Sequence, residues 1–291
     1  MFATLSRSWE FAKISYGIIW DFKKLVIFPV LSGAAALAVM ASFVLPLWGT
    51  GTLEEWMAFV ADDAVAPTTA DHVTMWGTLF LFYFCSYFVI VFFNSALTAC
   101  AMKVVNGEAP TVGDGLTLAA KRLPQIAAWA FVSALVGVAL RAVENVNEKA
   151  GRFVAAILGS AWSALTYFVV PVLVMDGVGP VAAVKSSVGT LKSTWGEALV
   201  GGFSMGFLSF LIMLPLLLVL GAIVFAAVAA GNTVGIAAAV AVAVVLVILA
   251  TAVTSAADVV FKAVLYNYAT GRSVPANVDT SHFAEAFHTS N

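Results

Sequence analysis

From Ala198 to Ala257 the chain runs for 60 residues without one Asp, Glu, Lys or Arg. As a single helix, at about 1.5 Å per residue, this stretch would be about 90 Å long, three times the ~30 Å of hydrocarbon in a bilayer. It therefore has to fold back on itself within a membrane, and Gly231-Asn232-Thr233 is the turn that the sequence offers. The rest of the chain agrees with that solvent. Of its 291 residues 62% are hydrophobic and 10% charged, against about 45–50% and about 25% in a soluble domain.

Four more apolar stretches are long enough to cross. The expected spans are 25–48, 73–102, 123–142, 153–175, 198–230 and 234–260 of a single membrane domain, 1–291, with an interfacial helix over 1–24 and a cytoplasmic tail over 261–291. The expected fold is all-α: a polytopic transmembrane bundle of six helices with cytoplasmic amphipathic interfacial helices. Short loops rich in Lys and Arg stay in the cytoplasm. With both termini inside, 11 of the 14 cations fall on that side, and only Arg141, Lys149 and Arg152 fall outside. The first external loop, Gly49–His72, carries Glu54, Glu55, Asp62, Asp63 and Asp71 and no cation. Its Trp56, Met57 and Phe59 suit either folding onto the bundle or docking a partner.

The first 24 residues interleave Glu10, Lys13, Asp21, Lys23 and Lys24 with aromatics, unlike a signal peptide, and are expected to stay in the mature protein. Phe2, Leu5, Trp9, Ala12, Tyr16 and Ile19 share one helix face, as do Val181, Val184, Val188, Leu191 and Trp195, with Pro180 in a first turn. A shorter helix, Asp114–Leu123, would use Leu116, Ala119, Ala120 and Leu123. Each even-numbered span ends at a Gly-to-Pro stop: Gly107 to Pro110, Gly177 to Pro180, and Gly271 to Pro275. The unit of surface helix, span, external loop, span and stop is thus expected three times, as three hairpin repeats. Such repeats occur in transporters, and they also arise when helical hairpins duplicate.

These residues carry a resemblance. Ser6-Arg7-Ser8-Trp9, Phe28-Pro29-Val30-Leu31-Ser32-Gly33, Phe92-Phe93-Asn94, Gly107-Glu108-Ala109-Pro110-Thr111, and Pro171-Val172-Leu173 leading to Gly179-Pro180 are similar to an uncharacterised bacterial family of six-span integral membrane proteins, a domain of unknown function. More distantly, Gly179-Pro180-x-x-Ala183-x-x-x-Ser187 resembles the membrane domain found ahead of some glycerophosphodiester phosphodiesterases. The resemblance implies a topology in a bacterial inner membrane and brings no catalytic residues. The phosphodiesterase activity is not expected to transfer, because the cytoplasmic segments are too short to hold a soluble catalytic domain.

Chemistry-bearing residues are sparse. Arg141 and Glu144, three apart, suit a gate or an interfacial ion pair, and Asp258 and Lys262, four apart, suit a structural pair. Asn94, Ser95 and Thr98 suit helix packing or a solute site. Pro171 and Pro215 interrupt apolar spans and free backbone carbonyls, and Gly202 and Gly206 allow close helix approach. His72, His282 and His288 all lie outside the spans, and Cys85 and Cys100 are 15 residues apart on one helix. No catalytic residue, cofactor or metal site is therefore expected, and the chain reads as a non-enzymatic scaffold or accessory component. The alternative is a channel or carrier for a small or lipid-like solute. The partners expected are membrane lipids and either a membrane-protein partner or a homo-oligomer. The net charge of −2 argues against nucleic acid.

Overall fold

The computed structural model describes residues 13–61, 67–146, 149–231 and 233–272. The described secondary structure is helical throughout. Helix α1 is described over 13–21 and leads through a 3-10 turn, Lys23–Val26, into α2, Ile27–Gly49. Then follow α3 (Thr52–Ala61), α4 (Thr69–Val105), α5 (Val112–Lys121), α6 (Leu123–Val146), α7 (Ala150–Leu165), α8 (Val169–Asp176), α9 (Pro180–Ser193), α10 (Trp195–Ala229) and α11 (Thr233–Ala269). Among the described residues six helical segments are long and apolar enough to cross a membrane: Lys23–Gly49, Thr69–Val105, Leu123–Val146, Ala150–Asp176, Met205–Ala229 and Thr233–Ala269.

The starts and stops have local causes. Helices α4 and α5 open on the same box, Thr68-x-x-Asp71 and Thr111-x-x-Asp114. In each, the carboxylate accepts from the Thr backbone N–H and hydroxyl, and the Thr hydroxyl accepts from the Asp N–H. At the other end, Gly107 and Gly271 close α4 and α11 with φ of 82° and 66°. There Glu108 N–H reaches Lys103 C=O and Arg272 N–H reaches Asn267 C=O, each at five residues' distance, the bond that a left-handed glycine makes possible.

The fourth span is broken. Helix α7 ends at Leu165, residues 166–168 turn, and α8 resumes at Val169. Pro171 explains the position: in an unbroken helix its ring would press on the Tyr167 carbonyl, whereas here it sits in the first turn of α8. The break leaves backbone groups without helical partners in a setting that has no water. Ser187 of α9 resolves one of them, its hydroxyl accepting from Phe168 N–H at 3.0 Å, with both residues fully buried. Pro215, by contrast, lies within a continuous α10, as Pro46 does within α2.

The chain divides into two compact units. In the first (Met1–Val30, Ala96–Leu116, Gly189–Asn291), the core gathers Leu25, Phe28, Leu97, Cys100, Phe261, Leu265 and Tyr266, beside Lys103 and Lys262. In the second (Leu31–Ser95, Thr117–Val188), it gathers Ile126, Trp129, Ala130 and Phe168–Val174, beside Arg122 and Lys185. Trp129 and Trp162 stack there with centroids 5.6 Å apart and planes 9° apart. Both cores thus sit at the Lys/Arg-bearing ends of their spans. Toward the opposite ends α10 and α11 pack on each other and leave Phe210, Leu218, Phe225, Val244 and Ile248 exposed.

Burial in the helices between the spans takes one described member of each expected apolar stripe, Ile19, Ala119 and Leu191, and otherwise falls largely on small residues beside the stripe. In α9 the buried side chains are Ala183, Ser187 and Leu191, with Thr194 just beyond its end, while Val181 is 85% exposed. In α5 they are Gly115 and Ala119, while Ala120 and Leu123 are exposed. The reason is close approach. A Cβ on Gly115 would lie 2.6 Å from the Ala96 carbonyl oxygen and 2.9 Å from Phe28 Cζ. The larger apolar residues are left on the neighbouring face. In α1 the face shows buried Ser15, Ile18 and Ile19, and Phe2, Leu5, Trp9 and Ala12 lie outside the described residues.

Replacing Ser187 by Ala leaves the buried Phe168 N–H without its acceptor. We expect a loss of about 1–3 kcal/mol, read as a lower midpoint of thermal unfolding in detergent, with Ser186→Ala close to wild type.

Candidate functional site

Two polar clusters of the described residues, one in each unit, lie at the same helix ends as that unit's core. In the first unit, Lys103 of α4 stands 3.4 Å from Asp114 and 3.5 Å from Glu108. The Thr111 N–H and hydroxyl bonds, reinforced by Lys103, hold the Asp114 carboxyl below the usual carboxylate range. Behind this exposed cluster the buried Cys100 thiol donates to the Thr111 carbonyl at 3.4 Å. Helix α1 adds Tyr16, whose phenol is pushed up by burial and, more weakly, by the Asp258 carboxylate.

In the second unit, the start of α6 meets the end of α8. Arg122 Nε–H donates to the Val174 carbonyl at 3.2 Å, and Gln125 Nε2 donates to the Gly177 carbonyl at 3.1 Å. Both carbonyls are at a helix C-terminus, where no further turn supplies a donor. Gly177 has φ of 64°, and its bare Cα lies flat against the guanidinium, so that any Cβ there would collide with Arg122 Nη1 and Cζ. Gly177 is thus both the left-handed stop of α8 and the seat of Arg122.

The ion pairs read from the sequence are present. Arg141 and Glu144 lie 2.7 Å apart on α6, and Asp258 and Lys262 lie 2.7 Å apart on α11. Both are local pairs on one helix face, partly open to solvent, and each stabilises by at most about 1 kcal/mol. Ser95 and Thr98, one turn apart on α4, are fully buried, and their hydroxyls have no hydrogen-bond partner; Asn94 beside them is half-buried. Between α6 and α7 runs a cleft of about 320 Å³ lined by Val136, Ala139, Leu140, Val143, Leu158, Ala161, Trp162 and Leu165. Its wall is apolar and does not include Asn94.

Among the described residues no group of three His, Cys, Asp or Glu side chains is placed to hold a metal ion. His282, His288 and Asn232 lie outside the described residues, and Gly202 is described only as backbone of α10. The Arg122–Gly177 seat escapes sequence reasoning, since it joins residues 55 apart in the chain. The signal that could have pointed to it is a cation opening one helix and a glycine stop closing another.

Two measurements test these geometries. Gly115→Ala forces a methyl into the Ala96 backbone carbonyl, and a loss of about 1–3 kcal/mol is expected in thermal unfolding. For Asp114 the folded value is depressed. The stabilisation it gives is therefore present above the ordinary carboxylate value of about 3.9 and lost as pH falls through the folded value. A thermal midpoint followed from pH 6 downward should fall less in Asp114→Asn than in wild type, and parallel curves would rule the cap out as a source of acid sensitivity.

The match to known proteins is to a family model. It covers residues 73–274 and is described as a family of unknown function, DUF6159. No curated protein matches the chain, and no solved structure does. The matched region takes in α4 to α11, five of the six membrane-length segments, and more than half of the sequence. The chain, a protein with six membrane-length apolar helices, belongs to the DUF6159 family of unknown function.

Proposed function

We propose that this protein is a non-enzymatic scaffold or accessory component of a membrane assembly, set in a bacterial inner membrane with both termini in the cytoplasm. The orientation rests on the bias of Lys and Arg toward one set of loops. α9 turns Val181, Val184 and Val188 away from its buried face, with exposed Lys185 and Lys192 beside them. That arrangement suits a helix lying at the inner leaflet.

The observation that carries the reading is at Gly206 and Gly221 of α10. A Cβ built at either glycine meets no atom within 4 Å. Glycine within a helix costs about 1 kcal/mol relative to alanine, and the described residues use neither position for close packing. Small residues that admit a neighbouring backbone are what membrane helices use to associate. The partner is a helix of another membrane protein or of a second copy. A carrier of a small or lipid-like solute is the second reading, supported by the unpartnered hydroxyls of Ser95 and Thr98.

The test is native mass spectrometry after mild extraction into lipid nanodiscs, with Gly206→Leu as the variant. Among the described residues nothing crowds Gly206, so the variant should melt no lower than wild type. We expect wild type to carry a stoichiometric protein companion or a second copy, and the variant to lose it. A lone wild-type chain retaining a defined solute would replace this reading by the carrier.

A further inference from the structure

We propose that Arg122, fixed against Gly177 and flanked by Lys121, is a binding site for a phosphate group at the junction of α6 and α8. Arg122 is half-buried and points its Nε–H at the Val174 carbonyl. Its planar face is pinned by Gly177. Two restraints of this kind fix the plane of the guanidinium, so its orientation is set before any ligand arrives. Four further N–H donors belong to the two Nη atoms, and the described residues offer them no partner.

Charge separates Arg122 from the other structurally fixed cations. Lys103, Arg141 and Lys262 each face a carboxylate within 3.5 Å. Arg122 is held by the Val174 backbone carbonyl instead. The C-terminus of α8 supplies only about half an elementary charge of compensation. Lys121, exposed and without a partner among the described residues, adds a second cation. A fixed guanidinium edge beside a mobile ammonium matches the tetrahedral oxygens of a phosphate, which arginine binds through two parallel N–H bonds. At a Lys/Arg-bearing end of the fourth span, that phosphate is either a phospholipid headgroup or a free phosphate ester. Gln125 contributes next to it: its Oε1 is buried without a donor, an acceptor for a hydroxyl carried by the same ligand.

The test uses the full chain in neutral detergent with three probes: dioleoylphosphatidylglycerol, dioleoylglycerol, which lacks the phosphate, and glycerol phosphate. Native mass spectrometry counts retained lipid, and thermal unfolding reads glycerol phosphate. Variants are Arg122→Gln and Lys121→Glu, with Arg152→Glu, an exposed cation in the first turn of α7, as the control. A lipid site predicts that phosphatidylglycerol, and not dioleoylglycerol, is retained by wild type and Arg152→Glu. Retention then falls at least tenfold in Arg122→Gln and several-fold in Lys121→Glu. A soluble-phosphate site predicts the same ranking in the thermal shift with glycerol phosphate and no ranking with the lipid. If Arg122→Gln fails to fold, Lys121→Glu decides, since its side chain is exposed. Equal behaviour of wild type and Lys121→Glu toward both phosphate probes would overturn the proposal, as would loss of binding as large in Arg152→Glu as in Lys121→Glu.

Discussion

A backbone N–H inside a bilayer finds no water, so each must be bonded within the protein. At the break between α7 and α8 that requirement falls on Phe168, and the Ser187 hydroxyl meets it. Much follows from this bond. It lets the fourth span turn where Pro171 demands, and it ties α9 to the span that precedes it. At the Gly177 stop the open carbonyls of α8 meet Arg122 and Gln125 from the start of α6. The left-handed glycine, the serine acceptor and the arginine cap are three answers to one constraint.

A second constraint decides where the cores sit. Between lipid and protein there is little hydrophobic gain, because acyl chains are as apolar as leucine, and helices associate through close packing and hydrogen bonds. Close packing needs small residues. Ala96, Ala101, Ala256, Ala257 and Ala263 are fully buried, as are Gly115 and Ala119 of α5 and Ala183 and Ser187 of α9. The exposed Leu, Val and Phe of α10 and α11 need no protein neighbour, since lipid or another membrane helix covers them equally well.

Much of the architecture is legible without coordinates. The 60-residue uncharged run, the Gly-to-Pro stops and the two local ion pairs all follow from composition and spacing, because each depends on residues close in sequence. The buried faces of the surface helices do not. A helical wheel identifies the stripe of largest apolar residues, Val181, Val184 and Val188, but in a membrane that stripe can face lipid while the small residues face protein. The capping boxes at Thr68 and Thr111 were present in the sequence as Thr-x-x-Asp. The break at 166–168 was signalled by Pro171 only as a perturbation, its resolution by Ser187 being a tertiary matter. Pro215 carries the same signal and leaves α10 unbroken, so proline alone does not set the outcome.

The most direct measurement of where the protein packs on itself is carbene footprinting with a diazirine-bearing phospholipid in nanodiscs, read by peptide mass spectrometry. The account predicts labelling along Phe207–Phe225 and Val240–Leu249, with Leu97–Met102 and Val260–Leu265 spared. Labelling of Val260–Leu265 as heavy as that of Val240–Leu249 would contradict a core at the Lys/Arg-bearing ends.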